Sequence, residues 1–194
     1  MVFIEFKRIT ENQVDQLALL HKKIIPYSVN AKAGIDHLRH LYKTFVTSRH
    51  VIGYVAIDEE KVVGIIICSK SFEIVSNETV SIRKELMRKF KSPLFIIKNF
   101  KNLIDYVLNK KAINSIKPTP YYIMLWFVDE SYANRRIGHL LLEKLFADPL
   151  LGNVKAVAVD VRKSSKKAIK GYHRNGFENY RTTLFSRILL RKQN

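Results

Sequence analysis

Two strand–turn–helix units in the C-terminal half of the chain constrain its fold more than any other feature. In the first, the apolar run from Tyr121 to Val128 passes through a basic turn into the helical spacing of residues 137–146. In the second, the run from Val154 to Arg162 leads into a short basic helix that stops at Asn175 and Gly176, and glycine is the usual left-handed helix terminator. Because these strands are largely apolar, we expect both faces of their sheet to be covered.

The remaining pattern indicates one mixed α/β domain. It predicts a strand at residues 2–8, followed by helices at 11–25 and 35–45 and a hairpin of strands 50–57 and 62–69. It also predicts an inserted helical segment at 74–118 and one or two final strands within 181–191. A chain of 194 residues buries about seven tenths of its unfolded surface without disulfides. The only cysteine, Cys68, ends an apolar run and is expected to be a buried strand residue.

The turn of the first unit is suited to an anion. Residues 128–142 read V-D-E-S-Y-A-N-R-R-I-G-H-L-L-L. Backbone N–H groups at a helix start have no intrahelical partner, and the positive end of the helix dipole adds to their effect. Such a turn binds a phosphate with little help from side chains. The alternative is a plain joint between strand and helix with solvated arginines.

This turn resembles the cofactor turn of the GNAT superfamily of acyl-CoA-dependent N-acetyltransferases. The family turn is written R/Q-x-x-G-x-G/A and follows a strand that ends V-x-P-x-Y. Val128 and Tyr132 set the register, so the turn falls on residues 133–138, where Gly138 agrees with the motif. An alignment of the motif shifted by two residues would instead place Arg135 at the R/Q position and Gly138 at the first glycine. The positions that depart from the motif are Glu130, Ala133 and Arg136.

The second unit is similar to the later GNAT signature, V-x-x-x-N-x-x-A-I-x-x-Y-x-x-x-G-F. Ser165 stands in the asparagine position. Six positions match, namely Val161, Ala168, Ile169, Tyr172, Gly176 and Phe177. The two signatures occur in the family's order, although the resemblance is sharp only over about the last third of the chain.

The resemblance implies a single GNAT-like α/β (α+β) domain over residues 1–194. Its central sheet would be mixed and mostly antiparallel, with six to seven strands and helices on both faces. The strands before the two motifs would splay apart, and the pantetheine arm of coenzyme A would enter the gap. The helical insertion at residues 74–119 is longer than the usual connection in the family.

The implied activity is direct transfer of an acetyl group from acetyl-CoA to a primary amine, without a metal. Tyr172 would protonate the departing thiolate, and Ser165 would either contact the pantetheine or cap its helix. Backbone groups of Phe127 and Val128 would hold the pantetheine and the acetyl carbonyl. The pyrophosphate would bind the backbone at Asn134, Arg135, Arg136, Ile137, Gly138 and His139. Because Arg136 replaces a glycine, we expect its backbone to stay at negative φ.

The general base has no motif in this sequence. Many GNAT members carry a glutamate on the strand before the first motif, but residues 121–127 contain no acidic residue. A water chain, Glu73 or Asp160 would have to serve. The six histidines show no convincing metal spacing.

The formal net charge of +17 is concentrated in two segments. Residues 161–194 contain ten basic and one acidic residue, and residues 74–119 contain ten basic and three acidic residues. In the first of these, Lys166, Lys167, Lys170 and Arg174 would suit the phosphates of coenzyme A. The second would form two helices that shape the acceptor site, with Ile97, Phe100, Ile104 and Val107 on an apolar line. Core packing with a solvated basic side is the alternative.

The acceptor itself is not specified by the sequence. A nucleotide-linked amino sugar, a membrane surface and a nucleic acid all fit the charge. The alternative function is a catalytically weak GNAT-fold module that binds nucleic acid or another anionic partner. Charged residues near the amino terminus leave no apolar core for a signal peptide, and no stretch approaches about 18 apolar residues, so we expect a cytoplasmic protein with no transmembrane segment.

Overall fold

The computed structural model describes residues 4–80, 82, 84, 88, 93–152 and 154–192. It contains a seven-stranded sheet with the order β1-β2-β3-β4-β5-β7-β6. The strands are β1 (Ile4–Arg8), β2 (Val51–Asp58), β3 (Lys61–Ser69), β4 (Tyr121–Val128), β5 (Ala156–Arg162), β6 (Glu178–Thr182) and β7 (Ser186–Lys192). Neighbouring strands are antiparallel except β4 and β5, which are parallel. The predicted mixed, mostly antiparallel sheet is confirmed.

Seven helices occur in the described part of the chain. They are α1 (Val14–Ile24), α2 (Val29–Lys32), α3 (Ile35–Thr47), α4 (Phe72–Glu78), α5 (Pro93–Asn114), α6 (Ile137–Phe146) and α7 (Lys166–Arg174). The helices of both strand–turn–helix units lie where the sequence predicted them. The short α2 was not predicted; it is capped by Ser28, whose hydroxyl accepts from the N–H of Ala31 at 3.0 Å.

The helices form two layers, one on each face of the sheet. On one face, α6 and α7 bury Leu141, Leu145 and Ile169 against the strands. On the other face, α1 and α3 cover the N-terminal half of the sheet through residues such as Leu17 and Leu38. The remaining area of that face is covered by α5, whose Ala112 and Ile113 pack with Tyr122, Ala158 and Ile188. Helices on both faces were predicted, and this is confirmed.

A β-bulge interrupts β4 at Met124. Ile67 pairs with Leu125 whereas Cys68 pairs with Ile123, so Met124 is an extra residue on β4. The bulge shifts the alternation of side chains, and as a result Ile123 and Trp126 both belong to the α6–α7 face. This irregularity could not be read from the apolar run of β4.

The parallel strands β4 and β5 separate after a short pairing. Both strands are described throughout, and their ladder consists of Tyr121 with Val157 and Tyr122 with Ala158. Beyond these pairs each strand continues without the other, to Val128 and Arg162, respectively. The expected splay between the two motif strands is therefore present, and it leaves a gap bordered by α6 and α7.

The helical insertion forms, but α5 buries a different face from the one expected. Phe100 and Val107, on the predicted apolar line, are 55% and 57% exposed. The buried side carries Asn109, which is 2% exposed, together with Ala112 and Ile113. Of the earlier positions in the insertion, Leu86, Phe90, Arg83 and Lys89 lie outside the described residues.

Among the helices that the structure describes, none combines the length and apolar character needed to span a bilayer.

Candidate active site

The free edge of β4 lines the gap between β4 and β5. The backbone N–H of Asp129 donates to Val63 O at 2.8 Å, just beyond the β3–β4 ladder. Peptide groups of an antiparallel strand point alternately toward the partner and away from it, so those of Phe127 also point toward β3. The peptide groups of Trp126 and Val128 point into the gap. Val128 is thus oriented as expected for a pantetheine contact, whereas Phe127 is not.

A buried carboxylate anchors the turn that follows β4. Asp129 is 1% exposed, and it accepts from Lys23 Nζ at 2.7 Å and from the N–H of Ser131 at 3.1 Å. Burial acts to raise the pKa of Asp129, but these hydrogen bonds outweigh it and lower the pKa to about 2. In addition, the Tyr132 hydroxyl donates to Asp58 Oδ2 at 2.5 Å. The turn therefore starts from a frame fixed to α1 and β2.

Two residues of the turn have left-handed backbone conformations. Asn134 has φ 64°, and Arg136 has φ 58° and ψ 8° as the N-cap of α6. The expectation of a negative φ at Arg136 is wrong. The left-handed region costs a non-glycine residue about 1–2 kcal/mol, although asparagine adopts it more readily. At Arg136 the chain accepts this cost because the turn must redirect β4 into α6, the task that glycine performs in the motif.

The first turn of α6 presents backbone N–H groups beside two arginines. The N–H of Leu140 donates to Arg136 O at 3.0 Å, so the N–H groups of residues 137–139 precede the first intrahelical bond. The side chains of Arg135 and Arg136 are exposed. The Arg135 guanidinium lies 5.0 Å from the centroid of the Tyr132 ring. Unpaired N–H groups, the helix dipole and two guanidinium groups together suit an anion.

Trp126 is a site residue that the sequence analysis missed. Its Nε1–H donates to Gly138 O at 3.1 Å, and its ring centroid lies 5.1 Å from that of Tyr172 in an edge-on arrangement. A Cβ added to Gly138 would lie 3.5 Å from Trp126 Nε1, so the free side of this glycine faces the indole. Trp126 therefore joins the turn, β4 and α7. Two features of the sequence could have identified Trp126: it is the only tryptophan in the chain, and it precedes Val128 by two residues.

Tyr172 lies on α7 where that helix meets Trp126. Its ring is half-buried and also contacts Phe177, with centroids 5.5 Å apart. Burial raises the pKa of Tyr172, and the negative charge of Asp160 raises it further. The phenol is therefore protonated at neutral pH, which a proton donor requires. The packing role and the acid role that the sequence left open are both compatible with this position.

A second polar group lies on the other side of the gap. Asp160, on β5, accepts from the Tyr122 hydroxyl and from Asn109 Nδ2, the latter at 2.9 Å. Burial raises the pKa of Asp160 and the charge of Asp105 adds to the effect, against the opposing influence of these hydrogen bonds. The other carboxylate considered as a base, Glu73, is exposed on α4. No pattern in the sequence could have linked Asn109 to Asp160.

A histidine joins the two helices that carry the motifs. His139 Nδ1 lies 2.7 Å from Asn175 Oδ1, and His139 Nε2 lies 3.1 Å from Glu143. The imidazole is therefore engaged between α6 and the end of α7. We expected the backbone N–H of His139 to contact the pyrophosphate. The two contacts of the imidazole do not involve that N–H group.

Ser165 immediately precedes α7. Its carbonyl accepts from the N–H of Ile169 at 3.0 Å. Residues 165–174 are all described, and within them the Ser165 hydroxyl makes no capping bond. The capping role that the sequence allowed is therefore not adopted. A contact of this hydroxyl with the pantetheine stays a prediction.

Several basic residues of α7 line a groove beside this helix. The helix period places Lys166 and Lys170 on the flank opposite Asn175, whereas Lys167 and Arg174 both lie about a quarter turn from it. That flank borders a groove of about 630 Å³, which we call the α7 groove. The basic residues in its lining are Lys163, Lys166, Lys170, His173, Arg174 and Arg187. Three of the four side chains predicted to suit coenzyme A phosphates, Lys166, Lys170 and Arg174, thus line this groove.

Clusters of metal-ligating side chains and exposed thiols are absent from the described part of the chain. No group of three or more histidine, cysteine, aspartate or glutamate side chains there could hold a metal ion. Cys68 is fully buried, and burial raises the pKa of its thiol. It packs in the sheet core, as the sequence predicted.

Comparison with known proteins assigns this arrangement to a family. The model of the acetyltransferase (GNAT) family matches residues 23–177. The PaiA N-acetyltransferase of Thermoplasma acidophilum, solved in complex with coenzyme A, has a TM-score of 0.63 and 12% identity, over 98% of this chain and 99% of that chain. NAA60 of Arabidopsis thaliana, solved with a bisubstrate analogue, has a TM-score of 0.62 and 16% identity, over 99% of both chains.

An acetyltransferase of the GNAT family from Staphylococcus aureus Mu50 also has a TM-score of 0.62, with 15% identity, over 99% of this chain and 100% of that chain. At these identities the likeness concerns the fold. The comparison with curated protein sequences gave no match.

Proposed function

The chain belongs to the acetyltransferase (GNAT) family, and on this premise we propose that it transfers an acetyl group from acetyl-CoA directly to a primary amine. The observation that carries the proposal is the gap that opens after Tyr122 and Ala158. Elements of both sequence motifs meet there, with the turn before α6 at one end and Tyr172 at its side. The complexes of PaiA with coenzyme A and of NAA60 with acetyl-CoA support the same ligand here.

The cofactor is proposed to bind along the free edge of β4. The pyrophosphate accepts hydrogen bonds from the backbone of residues 134–139, where Arg135 and Arg136 add positive charge. The pantetheine amides pair with the peptide groups of Trp126 and Val128 that point into the gap. The Ser165 hydroxyl is available to the same arm from the start of α7.

The chemical step needs one proton donor near the sulfur. The amine nitrogen attacks the thioester carbonyl carbon, and the carbon–sulfur bond breaks as the tetrahedral intermediate collapses. Tyr172, whose raised pKa keeps the phenol protonated until the thiolate forms, donates its phenolic proton to the departing thiolate. The contact of Tyr172 with Trp126, at 5.1 Å between ring centroids, fixes the direction of the phenol.

Calorimetry with acetyl-CoA, followed by measurement of thiol release with a panel of primary amines, tests this function. We expect saturable binding and amine-dependent release of coenzyme A, together with an acetylated product of the expected mass. Absence of acetyl-CoA binding would contradict the proposed site. Binding without turnover on any amine would contradict the proposed reaction.

The α7 groove supports a second candidate function, the binding of an anionic partner. The basic residues in its lining are lysines, arginines and a histidine. A surface rich in lysine and arginine attracts polyanions, and the affinity falls steeply as the salt concentration rises. A single-stranded oligonucleotide, titrated at low and physiological salt, is a direct probe. Binding that K163Q/K170Q/R187Q abolishes would support this role, and binding that the variant retains would remove the groove from it.

A further inference from the structure

A buried polar cluster joins α5 to the strands on the face opposite α6 and α7. This α5 cluster consists of Asp105, Asn109, Tyr122, Asp160, Thr183 and Ser186. Asn109 donates to Asp160 Oδ2 at 2.9 Å, and its own Oδ1 accepts from Thr183 Oγ1 at 2.9 Å. Ser186 Oγ donates to Asp105 Oδ2 at 2.5 Å. Hydrogen bonds from α5, β4 and β7 thus hold the two carboxylates, of which Asp160 borders the gap.

Both carboxylates of the α5 cluster have neutral partners among the described residues. These partners are Tyr122 and Asn109 for Asp160, and Ser186 for Asp105. By contrast, the buried carboxylates Asp129 and Asp148 pair with Lys23 and Arg8, respectively. A carboxylate that is largely removed from water gains stability from a counter-charge. Because Asp160 is partly exposed and its partners are neutral, a cationic ligand that reached it would stabilise its charge.

The position of Asp160 connects the α5 cluster to the site proposed for acetyl transfer. Asp160 follows Ala158 by two residues, and Ala158 ends the pairing between β4 and β5. Its side chain lies on the α5 face and is partly exposed, whereas Tyr172 approaches from the α7 face. The two groups are close enough for the charge of Asp160 to act on the Tyr172 phenol. The gap thus has an acid on one side and a carboxylate on the other.

We propose that Asp160 receives the amino group of the acceptor and removes its proton, so that acceptor and acetyl-CoA reach the gap from opposite faces of the sheet. This inference rests on the proposed function and adds the general base to it. Tyr122 and Asn109 each occupy one carboxylate oxygen and leave lone pairs for the ammonium group. Asp160 therefore replaces the glutamate that β4 lacks.

The proton balance is complete with these two side chains. The acceptor ammonium gives one proton to the Asp160 carboxylate, and the resulting amine attacks the thioester carbon. Tyr172 protonates the thiolate when the carbon–sulfur bond breaks. The nitrogen then loses its second proton as the amide forms, and this proton restores the phenol. Asp160 releases the first proton to solvent before the next turnover.

The surroundings of Asp160 favour this role. The titratable groups that face it are Tyr122 from β4, Asp105 from α5 and Tyr172 from α7. No cation is among these groups in the described part of the chain. Burial and the charge of Asp105 raise the pKa of Asp160, and a base with a pKa nearer to the working pH is more effective.

The test compares D160N with E73Q in the full chain, because Glu73 is the competing carboxylate. With 1,4-diaminobutane as the amine probe, D160N should lower kcat/KM by about a hundredfold or more, while the acetyl-CoA Kd stays within about twofold. E73Q should retain the activity of the unaltered chain. Wild-type turnover in D160N, or a large loss in E73Q instead, would overturn the inference.

A second variant separates the chemical role from a structural one. D105N removes the charge that raises the pKa of Asp160, so the acidic limb of the kcat/KM pH profile should move to lower pH. An unmoved limb would overturn the assignment even if D160N fails to fold. If the unaltered chain binds acetyl-CoA but acetylates no amine, the proposed function fails together with the inference; activity retained in D160N would remove only the inference.

Discussion

At Arg136 a long side chain occupies a backbone conformation that usually requires glycine. R136G should remove about 1–2 kcal/mol of left-handed strain, and it should lose roughly 0.5–1 kcal/mol through the greater freedom of the unfolded chain. We expect a net gain in the free energy of unfolding of about 0.5 kcal/mol, measured by urea denaturation. R136A is the matched control, since it keeps the strain. If R136G is the less stable of the two, φ at this position does not limit stability.

The Asp129 carboxylate should make stability depend on pH. Its folded pKa of about 2 lies below its unfolded value of about 3.9, so the unfolded state binds more protons between these values. The contribution of Asp129 is therefore complete above about pH 5 and is lost as pH falls toward 2. The free energies of unfolding of D129N and the unaltered chain should differ most at neutral pH and converge only as pH falls through about 2. A difference that persists at low pH would contradict the ionic origin of the effect.

At the scale of single elements, the start of α6 depends on the contact between Gly138 and Trp126. G138V should push the indole aside, because a Cβ there already lies 3.5 Å from Trp126 Nε1 and valine adds two methyl groups. We expect acetyl-CoA affinity to fall by about tenfold or more, roughly 1.4 kcal/mol. G138A is the control; its Cβ fits at ordinary contact distance, so its calorimetric Kd should change little. Equal affinities for both variants would remove this turn from the cofactor site.

The elements with a strong local signal were predictable from the sequence. The apolar run of β4 and the helical spacing of α6 predicted residues 121–128 and 137–146, and the structure has the same bounds. For α5 the pattern indicated the wrong face. Asn109 is buried there because Asp160 and Thr183, distant in sequence, satisfy its hydrogen bonds, whereas Phe100 is exposed. Periodicity assumes that polar side chains face water, and it cannot anticipate partners from other strands.

The bulge in β4 and the hydrogen-bond partners of Asp160 could not be predicted from the sequence for a similar reason. The extra residue Met124 changes which side chains of β4 share a face, and this depends on the register with β3. Tyr172 could be named because a motif surrounds it. Asp160 could only be suggested, since the role proposed for it depends on Tyr122 and Asn109, which no motif contains.

At the scale of the whole molecule, the sheet separates two chemical environments. The α6–α7 face carries the cationic turn and Tyr172, while the α5 face carries two carboxylates with neutral partners. The gap between β4 and β5 is where these environments meet. An anionic cofactor and a cationic amine would therefore be attracted to opposite sides of the same opening.

The most direct test of the account measures acetyl transfer by Y172F beside the unaltered chain. With acetyl-CoA and 1,4-diaminobutane, the variant should lower kcat by about tenfold to a hundredfold, because only the donated proton is lost. Its calorimetric Kd for acetyl-CoA should stay within about twofold. Wild-type kcat in Y172F would contradict the placement of acetyl transfer in the gap beside Tyr172.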